Sequence, residues 1–201
     1  EAGLRVLRVR AVEALRATLG HAWVGVFACL LACFPALAQQ ERFDVRRAFV
    51  ERSDGVWNLD VTLDLSLSAA AREALAESIP LDLRLDVLLT GERRFLPNET
   101  VAELEQRWRL SFDALSERYV VTHVNSGAQT HFAALDLALE SLSRIRELPL
   151  IDATLLDDGR RYEVSVRATV EIGDVPRALK ILLFWREWSR STDWYTWSLR
   201  P

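Results

Sequence analysis

Methionine is absent from the 201-residue chain, lysine occurs once, at Lys180, and cysteine only twice, at Cys29 and Cys33. With no methionine, the true start residue is left open. Both cysteines fall in the first forty residues, so the rest of the chain offers no disulfide, thiol nucleophile or cysteine metal site. A cysteine-free domain is compatible with an oxidising compartment such as a periplasm. The preference for arginine over lysine reads as a coding habit rather than as chemistry. An excess of positive charge is also lacking. Four of the 25 basic and two of the 29 acidic residues lie in the first forty, leaving the remainder acidic by about six charges. Nucleic-acid binding needs a basic face to displace counterions from phosphates, and this balance argues against it. Low-complexity tracts, internal repeats and long linkers are missing as well. What is present is a 50% hydrophobic composition, enough for one well-filled domain once a leader is removed.

The stretch from Ala17 to Gln40 holds no Asp, Glu, Lys or Arg and follows an arginine-bearing segment. The apolar run Ala22–Phe34 has the length of a signal h-region. Pro35 then breaks it, and Ala36-Leu37-Ala38 supplies the small residues that a signal peptidase reads. Residues 1–38 are therefore expected to be a secretory signal peptide, and 39–201 a single β-rich periplasmic domain. Two rival readings stand beside this one. Leu30-Leu31-Ala32-Cys33 loosely matches a lipobox, which would make a lipoprotein with Cys33 lipidated. Retention of the run would leave an inner-membrane anchor, although it is short for a span of roughly 20 residues.

Beyond the leader the dominant signal has period two. Trp57, Leu59, Val61, Leu63, Leu65 and Leu67 alternate with Asn58, Asp60, Thr62, Asp64 and Ser66. The same alternation recurs through Leu81–Leu89 and through Tyr162–Ile172. It also runs through Ala102, Leu104, Trp108, Leu110 and Phe112, with Gln106 as an exception. Such segments are strands with one dry and one wet face, which belong in antiparallel sheets. Asp54-Gly55 predicts a tight hairpin. Asp113–Ser116, Asn125-Ser126-Gly127 and Asp157-Asp158-Gly159 predict further turns.

Three segments switch to helical spacing. Ser68 is placed to cap a helix through Glu77 that carries Ala71, Leu75 and Ile79 on one face and ends at Pro80. Phe132, Leu135, Leu139, Leu142 and Ile145 predict an amphipathic helix ending before Pro149. Pro176 to about Leu183 predicts a third, with proline in its first turn. The tail from Trp185 to Leu199 is expected to be extended. The fold expected is mainly β: an antiparallel β-sandwich or curved sheet of about seven or eight strands with two or three short helices.

Candidate chemistry is sparse. No Gly-x-Ser-x-Gly motif occurs, and His123 and His131 are the only histidines after the leader, neither with an obvious serine partner in the sequence. The two flank one loop, but no zinc-type spacing accompanies them. Asp60, Asp64, Asp82 and Asp86 fall on polar strand faces, where solvation explains them without acid–base work. No cofactor is implied, and no catalytic or metal site is expected. The one unusual cluster is aromatic: Trp185, Trp188, Trp194, Tyr195 and Trp197, near Arg186 and Arg190. Such residues either finish a core or form a binding edge for a partner or a membrane.

Several pieces together resemble the bacterial family DUF4390, a domain of unknown function. They are Arg46–Val50 before Asp54-Gly55, Leu67-Ser68 with Ala71–Leu75 and Ile79–Leu81, Ala114–Tyr119, Ile145–Leu150, Arg161–Val164 and Trp194–Trp197. The resemblance spans roughly residues 42–198. It implies an exported proteobacterial protein with no catalytic residues to carry over, accessory to a membrane sensor kinase. The function expected is thus a non-enzymatic periplasmic interaction module with a membrane or periplasmic protein partner. The alternative is a carrier or sensor of a small apolar ligand, with a pocket between sheet and helix.

Overall fold

A computed structural model describes residues 43–173 and 189–201. Ten strands and two α-helices occur among them: β1 Phe43–Ser53, β2 Val56–Leu65, α1 Ala69–Ala76, β3 Leu81–Gly91, β4 Glu99–Asp113, β5 Arg118–His123, β6 Gln129–Phe132, α2 Leu135–Ser143, β7 Arg144–Asp152, β8 Tyr162–Ile172, β9 Arg190–Ser191 and β10 Tyr195–Leu199. A 3-10 turn covers Ala153–Leu155. The expected leader and the expected helix at 176–183 lie outside the described residues. Among the described residues no helix is long and apolar enough to cross a membrane.

All pairings are antiparallel, as the one-sided strands required. β1, β2 and β7 form a small sheet. The larger one runs β10-β8-β3-β4-β5-β6, with β9 also on β8. Asp54 and Gly55, at φ 51° and 83°, make the two-residue turn of the β1–β2 hairpin, where Ser53 pairs with Val56. Positive φ at both central residues is what a primed turn requires. The Asp113 carboxylate builds the β4–β5 turn by accepting from the Ser116 hydroxyl at 2.6 Å and the Leu115 amide at 3.0 Å. These two bonds, the hydroxyl's first, hold its pKa below the ordinary aspartate value.

One continuous core joins the inner faces of both sheets. Leu59, Val61 and Leu63 come from β2, Leu83, Leu85, Val87 and Leu89 from β3, and Val164, Val166 and Ala168 from β8. Each large side chain so buried contributes about 1.5–3 kcal/mol. α1 forms as the sequence predicts. The Ser68 hydroxyl accepts from the Ala71 amide at 3.0 Å, while Ala71, Ala74 and Leu75 are buried. Ser68→Ala is expected to lower stability by about 1 kcal/mol, read as a shift in the denaturation midpoint at constant slope.

α2 is shorter than its apolar spacing suggests. Phe132 is in β6, paired with Tyr119, and Ile145 is in β7, paired with Val61. Ile145 falls three residues after Leu142 and so carries the helical spacing into the strand. Beyond it β7 has a bulge, where Leu148 pairs with Leu59 and Ile145 with Val61, so Arg146 and Glu147 together oppose Asp60. A bulge turns the two-residue period of a strand into a three-residue step. Glu147 takes φ 51° there. Pro149, expected to lie beyond the helix end, sits inside β7 instead. It is tolerated because β7 is an edge strand among the described residues.

Candidate functional site

A cleft of about 410 Å³ lies beside the bulged edge of β7. Six consecutive residues, Arg144–Pro149, form one wall, and Leu142 from the end of α2 adds to it. The inner face of the larger sheet supplies the floor through Trp108, Val121 and His123. The floor is apolar because β4 and β5 pair Leu110 with Val121 and Trp108 with His123, so one alternation brings these side chains to one side. The rim is charged. Arg144 is held by Glu140 at 2.9 Å, and Arg146 reaches Asp60 only at 3.9 Å and is 70% exposed.

His123 ties this floor together. Its Nδ1 lies 2.6 Å from the Ser126 hydroxyl and its Nε2 lies 2.9 Å from Gln106 Oε1. An amide oxygen only accepts, so Nε2 carries a hydrogen and the serine hydroxyl donates to Nδ1 in the neutral ring. The Trp108 ring packs at 5.2 Å, tilted by 42°. Gln106, the polar exception in the β4 alternation, is thereby explained: it faces inward to meet the imidazole. The serine partner that the sequence does not reveal is Ser126, brought close by the turn of the β5–β6 hairpin. This trio lacks the carboxylate of a hydrolase triad, and the Ser126 hydroxyl already accepts from the Ala128 amide at 3.3 Å. His131 does not join it. It pairs with Val120, while Val121 and His123 point to the other face. Among the described residues no group of three or more His, Cys, Asp or Glu side chains gathers as a metal site.

The profile of the family described as Domain of unknown function (DUF4390) matches residues 40–198. The chain belongs to this family. No curated protein and no solved structure matches it.

In this DUF4390 domain the described members of the aromatic tail, Trp194, Tyr195 and Trp197, do not share one face. Tyr195 and Trp197 pair with Val166 and Val164 and so lie on the inner face at the sheet margin, their rings 5.7 Å apart. Trp197 is half-buried against the core, and Tyr195 is 37% exposed. Trp194 is on the opposite face, where the Arg167 guanidinium stacks over it at 4.5 Å. The break between β9 and β10 separates the two groups. There the buried Thr192 hydroxyl accepts from the Ala168 amide at 3.1 Å. Trp185, Trp188 and Arg186 lie outside the described residues. Arg190 is in β9, paired with Val170.

The aspartates of the outer face are less solvated than the alternation suggests. Asp82 takes a two-bond contact from Arg109, at 2.7 and 2.9 Å, with its side chain 14% exposed. Asp86 lies 3.0 Å from Arg167 and 3.3 Å from Arg84, with 18% exposure. Cross-strand register produces this ladder, since Asp82 faces Arg109 and Asp86 faces Arg167. Asp64 is the least buried of the four and pairs with Arg46 at 3.3 Å.

Proposed function

We propose that this DUF4390 domain is a non-enzymatic interaction module, exported to the periplasm by its leader, whose cleft holds an extended segment of a protein partner. The observation that carries this reading is the cleft itself: an apolar floor of Trp108 and Val121 beside a rim bearing Arg144 and Arg146. A tryptophan next to arginines is the composition of an interface anchor. The open shape along a strand edge suits a segment with an apolar residue for the floor and carboxylates for the rim. The histidine supports a binding role over a catalytic one, because both ring nitrogens are already engaged by neighbours. The family resemblance suggests the sensor region of an inner-membrane kinase as the partner class.

The alternative, a small apolar ligand held between sheet and helix, has less support. Leu83, Leu110, Leu139 and Leu142 enclose only about 10 Å³ there. That is room for about one water, and an apolar void of this size stays empty.

Crosslinking in intact cells tests the proposal. The wild-type chain is expected to give a discrete adduct with a membrane protein. Trp108→Ala should weaken the contact by about 2 kcal/mol or more, roughly thirtyfold, while circular dichroism stays unchanged. A protein that stays alone and monomeric, or an adduct that Trp108→Ala leaves intact, would sink the proposal. Bound lipid in native mass spectrometry would favour the carrier reading instead.

A further inference from the structure

The loop between β3 and β4, residues 92–98, carries Arg93-Arg94-Phe95-Leu96-Pro97 at its tip. Phe95 is 93% exposed and Leu96 64%. Phe95 also takes φ 91°, a backbone conformation that bulky side chains avoid. Both features are unfavourable for a loop that touches only water. Strain of this kind persists where the surroundings impose it, and it gathers at functional positions.

The stem of this loop is held on both sides. Arg93 Nε donates to Glu99 Oε2 at 3.0 Å, and Arg160 Nη2 donates to the same oxygen at 3.2 Å. The Glu92 amide donates to the Arg161 carbonyl at 2.9 Å. The stem is thus fastened to the β7–β8 connection, and the tip stands out from a fixed base. Gly91 keeps this base closed, since a Cβ there would run into the Arg160 guanidinium. Arg93 is matched by Glu99. Arg94 instead lies over the Phe95 ring at 5.4 Å, beside the apolar tip. The exposed Leu155 is at the same end of the sandwich, following Ala153, whose amide donates to the Gly55 carbonyl.

We infer that this tip is a membrane-contacting wedge that sets Phe95 and Leu96 at the headgroup–acyl boundary of a zwitterionic bilayer, with Arg94 on a lipid phosphate. A convex apolar pair suits a medium that closes around it, and a guanidinium beside it reaches the headgroups while its stem stays with the apolar phase. The lipid class follows from charge. The chain beyond the leader is acidic by about six charges, so an anionic surface repels it. Contact then rests on the two apolar side chains rather than on long-range attraction. It is independent of the β7 cleft, which uses other residues.

The test uses the full chain with Cys29→Ser and Cys33→Ser, leaving single sites for an environment-sensitive nitrobenzoxadiazole label. One protein carries the label at Leu96→Cys, and a control carries it at Ala114→Cys, in the β4–β5 turn at the opposite end. Vesicles of phosphatidylethanolamine and phosphatidylcholine are expected to raise emission at position 96 several-fold and shift it blue. Brominated acyl chains should quench it, while the label at 114 stays unchanged. Adding Phe95→Ser should remove at least half of the response. Because the readout is local, a leader that itself partitions into lipid does not imitate it. Unchanged emission at 96 in excess lipid would overturn the inference, as would equal responses at both sites. A response that grows with phosphatidylglycerol content would overturn the zwitterionic assignment.

Discussion

Leu85→Ala is expected to destabilise the domain by about 2–5 kcal/mol, towards the upper end of that range. Leu85 is 0% exposed at the centre of β3, which pairs with β8 through its whole length and with β4 along nearly all of it. Its cross-strand neighbours on the inner face are Gln106 and Ala168. Two continuous ladders hold the backbone in place, so the strand cannot sag into the space that the lost methyl groups leave. The cost of such a deletion grows with the cavity that remains, which is why a fixed site loses more than one that collapses. Domains of this size are stable by only about 5–15 kcal/mol, so one substitution would remove a large share. Urea denaturation followed by circular dichroism measures this: the midpoint should fall at an unchanged slope. A loss below about 1 kcal/mol would mean that β3 relaxes, contrary to its double pairing.

Asp86→Ala is expected to cost about 2–3 kcal/mol, between the values for exposed and buried pairs. Its carboxylate is shared by Arg84 on its own strand and Arg167 on the neighbouring β8. Removing it leaves two cations side by side, and the Arg84 Nε is already buried without a hydrogen-bond acceptor. The loss therefore combines missing attraction with new repulsion. A double-mutant cycle with Arg167→Met separates the two, since removing both partners together should cost less than the sum of the single changes. Additive losses would show that water, rather than this carboxylate, satisfies the arginines.

The parts of the fold legible in the sequence are those where one residue type answers one local demand. Asp54-Gly55 supplies positive φ, Ser68 supplies an acceptor for free helix amides, and alternating leucines mark β3. The illegible parts depend on a partner strand. The bulge at Arg146-Glu147 exists only relative to Asp60 on β2, and Ile145 continues the spacing of α2 although it already pairs with Val61. The site behaves likewise. Trp108, Gln106 and His123 are spread over two strands, and only register brings them to one floor. Trp194 and Tyr195 are neighbours in sequence yet lie on opposite faces. The aspartates were legible as strand residues, and so was Arg84 between Asp82 and Asp86 as a partial counter-charge, but Arg109 and Arg167 lie on other strands and only register brings them in.

Among the described residues β7 is paired on one side only. An unpaired strand is a template on which other chains can polymerise. Here the Arg146-Glu147 kink bends the template, two opposite charges stud it, and Pro149 removes one of its amide donors. These features guard the β7 margin against seeding fibres of the protein's own kind.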